Sequence, residues 1–203
     1  MSQSAVDIVL NCHPGKEGHC LVFPYRIENR GRTAVYVMDA LASVDPESGS
    51  PKADTQAIVV VQAAGDEAIV GRLIPPSPAD RRIAMPVIPL ARHLPPGGVI
   101  ENRIEVPVPL AEVSPYYADL LLRQYQITQL KGVTFAIGYW VDGVDGLIAS
   151  PVDFAPGLFN ITTRQTALGA RVVSQHFPTH HLQLLKRTDL FSREVAGLPV
   201  LAA

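Results

Sequence analysis

The sequence has too few cysteines for a disulfide scaffold. It has two, Cys12 and Cys20, whereas small secreted domains are far denser in cysteine. Both are expected to be free thiols, at least one packed as a small hydrophobe. No apolar run reaches transmembrane length. The first residues, Met1-Ser2-Gln3-Ser4, lack the basic start and apolar run of a secretory signal. A cytoplasmic protein is expected, although a chain whose signal had been removed would read the same way. Charge of one sign is also lacking. The net charge is −2, so no global field draws in nucleic acid or an acidic membrane. Arg81, Arg82, Arg92 and Arg103 have few aromatics among them, unlike a surface on which bases stack. There is no Gly-x-Ser-x-Gly elbow, Gly-x-Gly-x-x-Gly turn or phosphate-binding loop. Triads converge in space rather than in sequence, so an enzyme with a loop-assembled site is kept as an alternative reading.

What is present is a chain rich in β-formers. At 203 residues it is long enough to bury roughly 70% of its unfolded surface. Residues 133–141 (Val-Thr-Phe-Ala-Ile-Gly-Tyr-Trp-Val) are the stretch around which the rest is arranged. Val133, Phe135, Ile137, Tyr139 and Val141 alternate onto one face, and Thr134, Ala136, Gly138 and Trp140 onto the other. That pattern predicts a central strand covered on both sides, with Trp140 buried. Further strands are expected near 5–12, 20–28, 33–44, 56–62, 68–74, 99–107 and 169–176, and shorter ones at 125–130, 147–149 and 158–163. Pro14 to Gly18 and Asn29 to Arg32 read as turns, and Asp45 to Asp54 as a polar loop.

Ten of the eighteen prolines fall between Pro75 and Pro115. Proline cannot donate to a ladder, so edge strands at 82–90 and 99–108 are expected there. Ser114 to Leu122 is the best helix candidate, with Ser114 as cap and Pro115 at the first helical position. Many short strands with frequent turns predict a mainly β, antiparallel sandwich, immunoglobulin-like in architecture, with one short helix. The division expected is a β-sandwich domain at 1–178 and a C-terminal tail at 179–203, helical over 180–195 or else an extended arm.

Two clusters have the composition of metal sites. Cys12, His13, His19 and Cys20 lie within nine residues, a legal ligand set for zinc or copper. In a hairpin symmetric about Lys16, however, the cysteines would share one face and the histidines the other. His176, His180 and His181, with His93 in space, form a second set. It lacks a spaced carboxylate or cysteine, and Pro178 opposes a helix there. A metal-binding domain using either set is an alternative, and no cofactor is expected. Asp142 to Gly146 resembles a calcium loop but lacks its alternating oxygen ligands. Asn160-Ile161-Thr162 matches a glycosylation sequon.

The tail carries the functional expectation. Leu182, Leu184, Leu185, Leu190, Phe191, Val195, Leu198, Val200 and Leu201 crowd the chain's last residues, whereas disordered tails are poor in such side chains. Residues 160–203 carry a net charge of +3 and residues 39–67 one of −5. The reading is a non-catalytic binding or assembly module that engages a protein partner or another copy of itself, rather than nucleic acid or a membrane. Leu190 and Phe191 would be its buried anchors and Lys186, Arg187 and Arg193 its rim, with Leu185 also among the partner-binding residues.

Overall fold

The computed structural model describes residues 6–75, 87–116, 125–163 and 170–187. These residues are mainly β and contain no helix, and their sheets are open. In chain order the strands are β1 Ile8–Cys12, β2 Gly15–Glu17, β3 Cys20–Asn29, β4 Val35–Val44, β5 Pro51–Asp54, β6 Val59–Ala63, β7 Glu67–Arg72 and β8 Pro89–Leu94. They continue as β9 Val99–Pro107, β10 Leu110–Ala111, β11 Tyr125–Gln129, β12 Gly132–Val141, β13 Leu147–Pro151, β14 Leu158–Thr163, β15 Arg171–Pro178 and β16 Gln183–Arg187.

Strand β12 is the centre of the largest sheet. Gly132 to Tyr139 lie against β15, while its other edge is shared by β7 (parallel, Gly132 to Ile137) and β4 (antiparallel, Tyr139 to Val141). From β4 the sheet continues through β8 and β14 to β13, and from β7 to β6. Val133, Phe135 and Ile137 enter one core, with Phe135 stacked on Phe23 of β3 at 5.0 Å. Ala136 and Trp140 are buried on the opposite face, in separate apolar clusters. The alternation read from the sequence is thus a strand covered on both faces.

The first sheet packs on β12 through that shared core. It consists of β1 and β2 on one side of β3, and β9 on the other. Its register differs from the hairpin symmetric about Lys16. Cys12 lies opposite Tyr25 and Gly15 opposite Val22. Strands β1 and β2 therefore form one run interrupted at His13-Pro14. The turn is Gly18-His19, not Pro14 to Gly18. A two-residue hairpin turn needs positive φ, and Gly18 supplies it at 57°. This register also sets Leu10 opposite Ile27, apolar on apolar. The turn expected at Asn29 to Arg32 is organised by buried Asn29, whose Nδ2 donates to the Thr33 and Leu94 carbonyls while its Oδ1 accepts from Gly31 N.

Other expectations are revised or narrowed. Strand β8 lies between β4 and β14 rather than at an edge. Pro89 opens it and Pro95-Pro96 follow it, so its interior retains every N–H. Residues 82–86 lie outside the described residues. Part of the polar loop forms β5, which folds back on β4 across a turn whose amides at Glu47 and Ser48 donate to Asp45 Oδ1. Pro115 and Tyr116 form a turn, and the rest of the candidate helix, 117–122, lies outside the described residues. In the tail, 183–187 is a strand, the extended form of the two expected there.

Candidate functional site

The tail strand β16 is the middle strand of a small sheet, parallel to β10 and antiparallel to β11. Alternation divides its residues. Leu184 pairs with Leu110 and both are completely buried in the main core. Leu185 projects the other way, opposite Ile127 of β11 and Ala111 of β10. Ile127 is 59% exposed and Tyr125 is 49% exposed. The outward face of this sheet therefore carries an apolar patch, Ile127 and Tyr125 beside half-buried Leu185, flanked by exposed Gln129 and Gln183. Strand β11 (Tyr-Gln-Ile-Thr-Gln) carries no charge, and among the described residues it pairs only with β16.

Of the residues expected to bind a partner, Leu185, Lys186 and Arg187 lie on this strand. Leu185 belongs to the outward face, and half-buried Lys186 stands opposite Gln126 on the face shared with Leu184. Arg187 pairs with Tyr125. Leu190, Phe191 and Arg193 lie outside the described residues. Sequence reasoning missed Ile127 and Tyr125. Their isolated strand gave no sign that it would form an edge beside the tail, and only the pairing reveals it.

A second feature is a cleft of about 260 Å³ between the two larger sheets. Leu21 and Phe23 line it from β3, Val133 from β12 and Phe177 from β15, with Leu182 just before β16. Lys16, Thr179 and His181 contribute its polar side chains, and among the described residues no carboxylate lines it.

The third feature is a buried ionic cluster joining the sheets. The β4–β8 register shifts between Met38 and Ala40, which leaves Asp39 as the extra residue of a bulge. Its Oδ1 accepts from Arg72 Nη1 at 2.9 Å and Asn102 Nδ2 at 3.1 Å. Its Oδ2 accepts from Arg92 Nη2 at 2.7 Å and Nε at 3.2 Å. Arg72 also donates to the Tyr25 hydroxyl and the Thr55 carbonyl. Burial pushes the Tyr25 hydroxyl up to about 12. Arg92 is thus engaged with Asp39, and Arg103 with Glu17 and Glu105.

The cysteine and histidine sets are dispersed. Cys12 is buried in the core, and burial pushes its thiol up to about 12. Cys20 stands opposite Glu17, while His13 and His19 are exposed. His176 pairs with Glu67 at 3.2 Å. His93 instead packs on Tyr36, which in turn meets Phe159 edge-on. Among the described residues, no three histidine, cysteine or acidic side chains are grouped to hold a metal ion. Residues 142–146 are mostly turn, and Asn160 lies within β14, between β13 and β8.

No family model, curated protein or solved structure matches the chain.

Proposed function

We propose that the protein is a non-catalytic assembly module that joins a second copy of itself through the outward face of the β10–β16–β11 sheet. The observation that carries this reading is the exposure of Ile127 and Tyr125 on an uncharged strand, directly beside Leu185 of the tail. An apolar surface of this kind gains from burial. Two β11 strands meet without like-charge repulsion, and neither has the lysine or proline that blunts a sheet edge. Leu185, Ile127 and Tyr125 are the anchors in this reading. Arg187, opposite Tyr125, takes the rim, with Leu190, Phe191 and Arg193 of the following segment as further contacts, whereas Lys186 belongs to the other face of β16. The engagement of Arg92 and Arg103 by carboxylates favours a protein partner over nucleic acid.

The same reading takes the architecture to be an elaborated immunoglobulin-like antiparallel sandwich in the cytoplasm. Face-to-face packing of two sheets supports the architecture. The parallel β7–β12 and β10–β16 pairs and the branch at β12 are additions to the plain pattern. The separation of Cys12 and Cys20 by register is compatible with a reducing compartment. Amide exchange in dilute and concentrated protein tests the assembly surface. Exchange over Tyr125–Gln129 is expected to slow as concentration rises. Exchange there that is indifferent to concentration contradicts the proposal.

A further inference from the structure

We infer that the cleft between the two larger sheets binds a small carboxylate with an apolar body. Its walls are side chains of Leu21, Phe23, Val133 and Phe177. Phe23 and Val133 are almost fully buried. Phe23 is stacked on Phe135 with the rings 13° from parallel, so this wall is fixed by the core and does not need to form around a ligand. Lys16 and His181 lie at the same cleft. Neither has an ion-pair partner among the described residues. The neighbouring carboxylate, Glu17, is held by Arg103 Nη2 at 2.8 Å. Successive strand residues face opposite ways, so that pair leaves the ammonium of Lys16 without a counter-charge. An apolar hollow with an unneutralised cation and no carboxylate is complementary to an amphipathic anion. The volume of about 260 Å³ lies just below the roughly 300–1,000 Å³ of pockets that take drug-sized ligands. It therefore suits a short alkyl chain or a single ring. This inference is independent of the assembly surface, since Ile127 and Tyr125 do not line the cleft.

Octanoate titrated into the full chain, followed by amide chemical shifts, provides the test. It is expected to move the resonances of Lys16, Leu21, Phe177, His181 and Leu182. Removing the counter-charge with Lys16→Met is expected to weaken binding by about fivefold, and 1-octanol should bind the unaltered chain weaker by a similar factor. Lys16 is exposed on a short edge strand, so this variant retains the fold, which its own spectrum verifies. The inference is overturned if octanoate moves none of these resonances, if Lys16→Met binds it as tightly, or if octanol binds equally well.

Discussion

Asp39 ties its own sheet to the first one, through Arg72 and Arg92 beside it and Asn102 across. It accepts from Arg72, Arg92 and Asn102, which lie on three other strands, and it is 4% exposed. Removing it leaves the Arg72 guanidinium, 3% exposed, without its counter-charge inside the protein. Breaking such a pair costs about 3–5 kcal/mol, so Asp39→Ala should lower the urea midpoint steeply. An unchanged midpoint would mean that the cluster contributes little. Cys12 and Tyr25 contribute to a loss of stability at alkaline pH. Burial raises the Cys12 thiol from 9.0 to about 12 and the Tyr25 hydroxyl from 10.0 to about 12. In both cases the folded state holds its proton more tightly than the unfolded chain does. Their contribution is therefore complete below pH 9.0 and declines as pH rises towards about 12. Urea midpoints measured across this window should fall, and Cys12→Ala should delay the start of the decline towards 10.0, the ordinary value for tyrosine. In native protein a thiol reagent is expected to modify Cys20 first, with Cys12 reacting only as the chain opens.

Among the elements, the parallel β7–β12 pair places the strictest demand on the sequence. A Cβ on Gly71 would overlap the Ala136 carbonyl. Backbone lies on both sides of this contact, so no side-chain rotation relieves it. Gly71→Ala should cost about 3 kcal/mol or more. Gly138 lies on β12 just beyond this ladder, and a Cβ there would meet only ordinary contacts, the nearest at 3.5 Å. Gly138→Ala is accordingly expected to leave the denaturant midpoint nearly unchanged, and equal losses in the two variants would contradict this packing. Neither glycine's role was legible in the sequence, because it arises from a parallel neighbour more than sixty positions away. The existence of most strands was legible: β3, β9, β12 and β14 lie within a residue or two of their expected positions, because β-branched runs and turn residues act locally. Register was not. The cysteine hairpin turns at Gly18 instead of about Lys16, and that choice rests on one positive φ and on the apolar match along β1 and β3. The proline-rich region misled in a similar way. Pro89 and Pro95 bracket β8 without entering its interior, so the density of proline there does not report on the position of the strand in the sheet.

For the whole molecule, two routes to assembly were visible in the sequence, one ionic and one apolar. The acidic first half now has partners close at hand. Asp39 is held by Arg72 and Arg92, Asp45 by Lys52, Asp66 by Lys131 and Glu67 by His176. Four of the six acidic residues at 39–67 are thus already engaged, with Glu47 and Asp54 remaining, so association is expected to depend mainly on the apolar patch and to survive high salt. A tail engaged with something was anticipated from its leucines. The division of labour within it was not, because Leu184 and Leu185 are adjacent in sequence and only the sheet assigns one to the core and the other to the surface. This also changes how the tail is tested. Deleting 180–203 would remove β16 and the buried Leu184 with it, so a failure of that variant to fold would not report on assembly. Ile127→Asp leaves β16 in place and puts a charge on the outward face. Sedimentation equilibrium of the full chain and of Ile127→Asp, over a range of concentrations and in high salt, is the most direct measurement. The unaltered chain should rise from monomer to dimer mass with concentration, with little dependence on salt. Ile127→Asp should remain monomeric with its β spectrum intact. A full chain that is monomeric throughout, or a variant that associates just as strongly, would contradict assembly through this sheet.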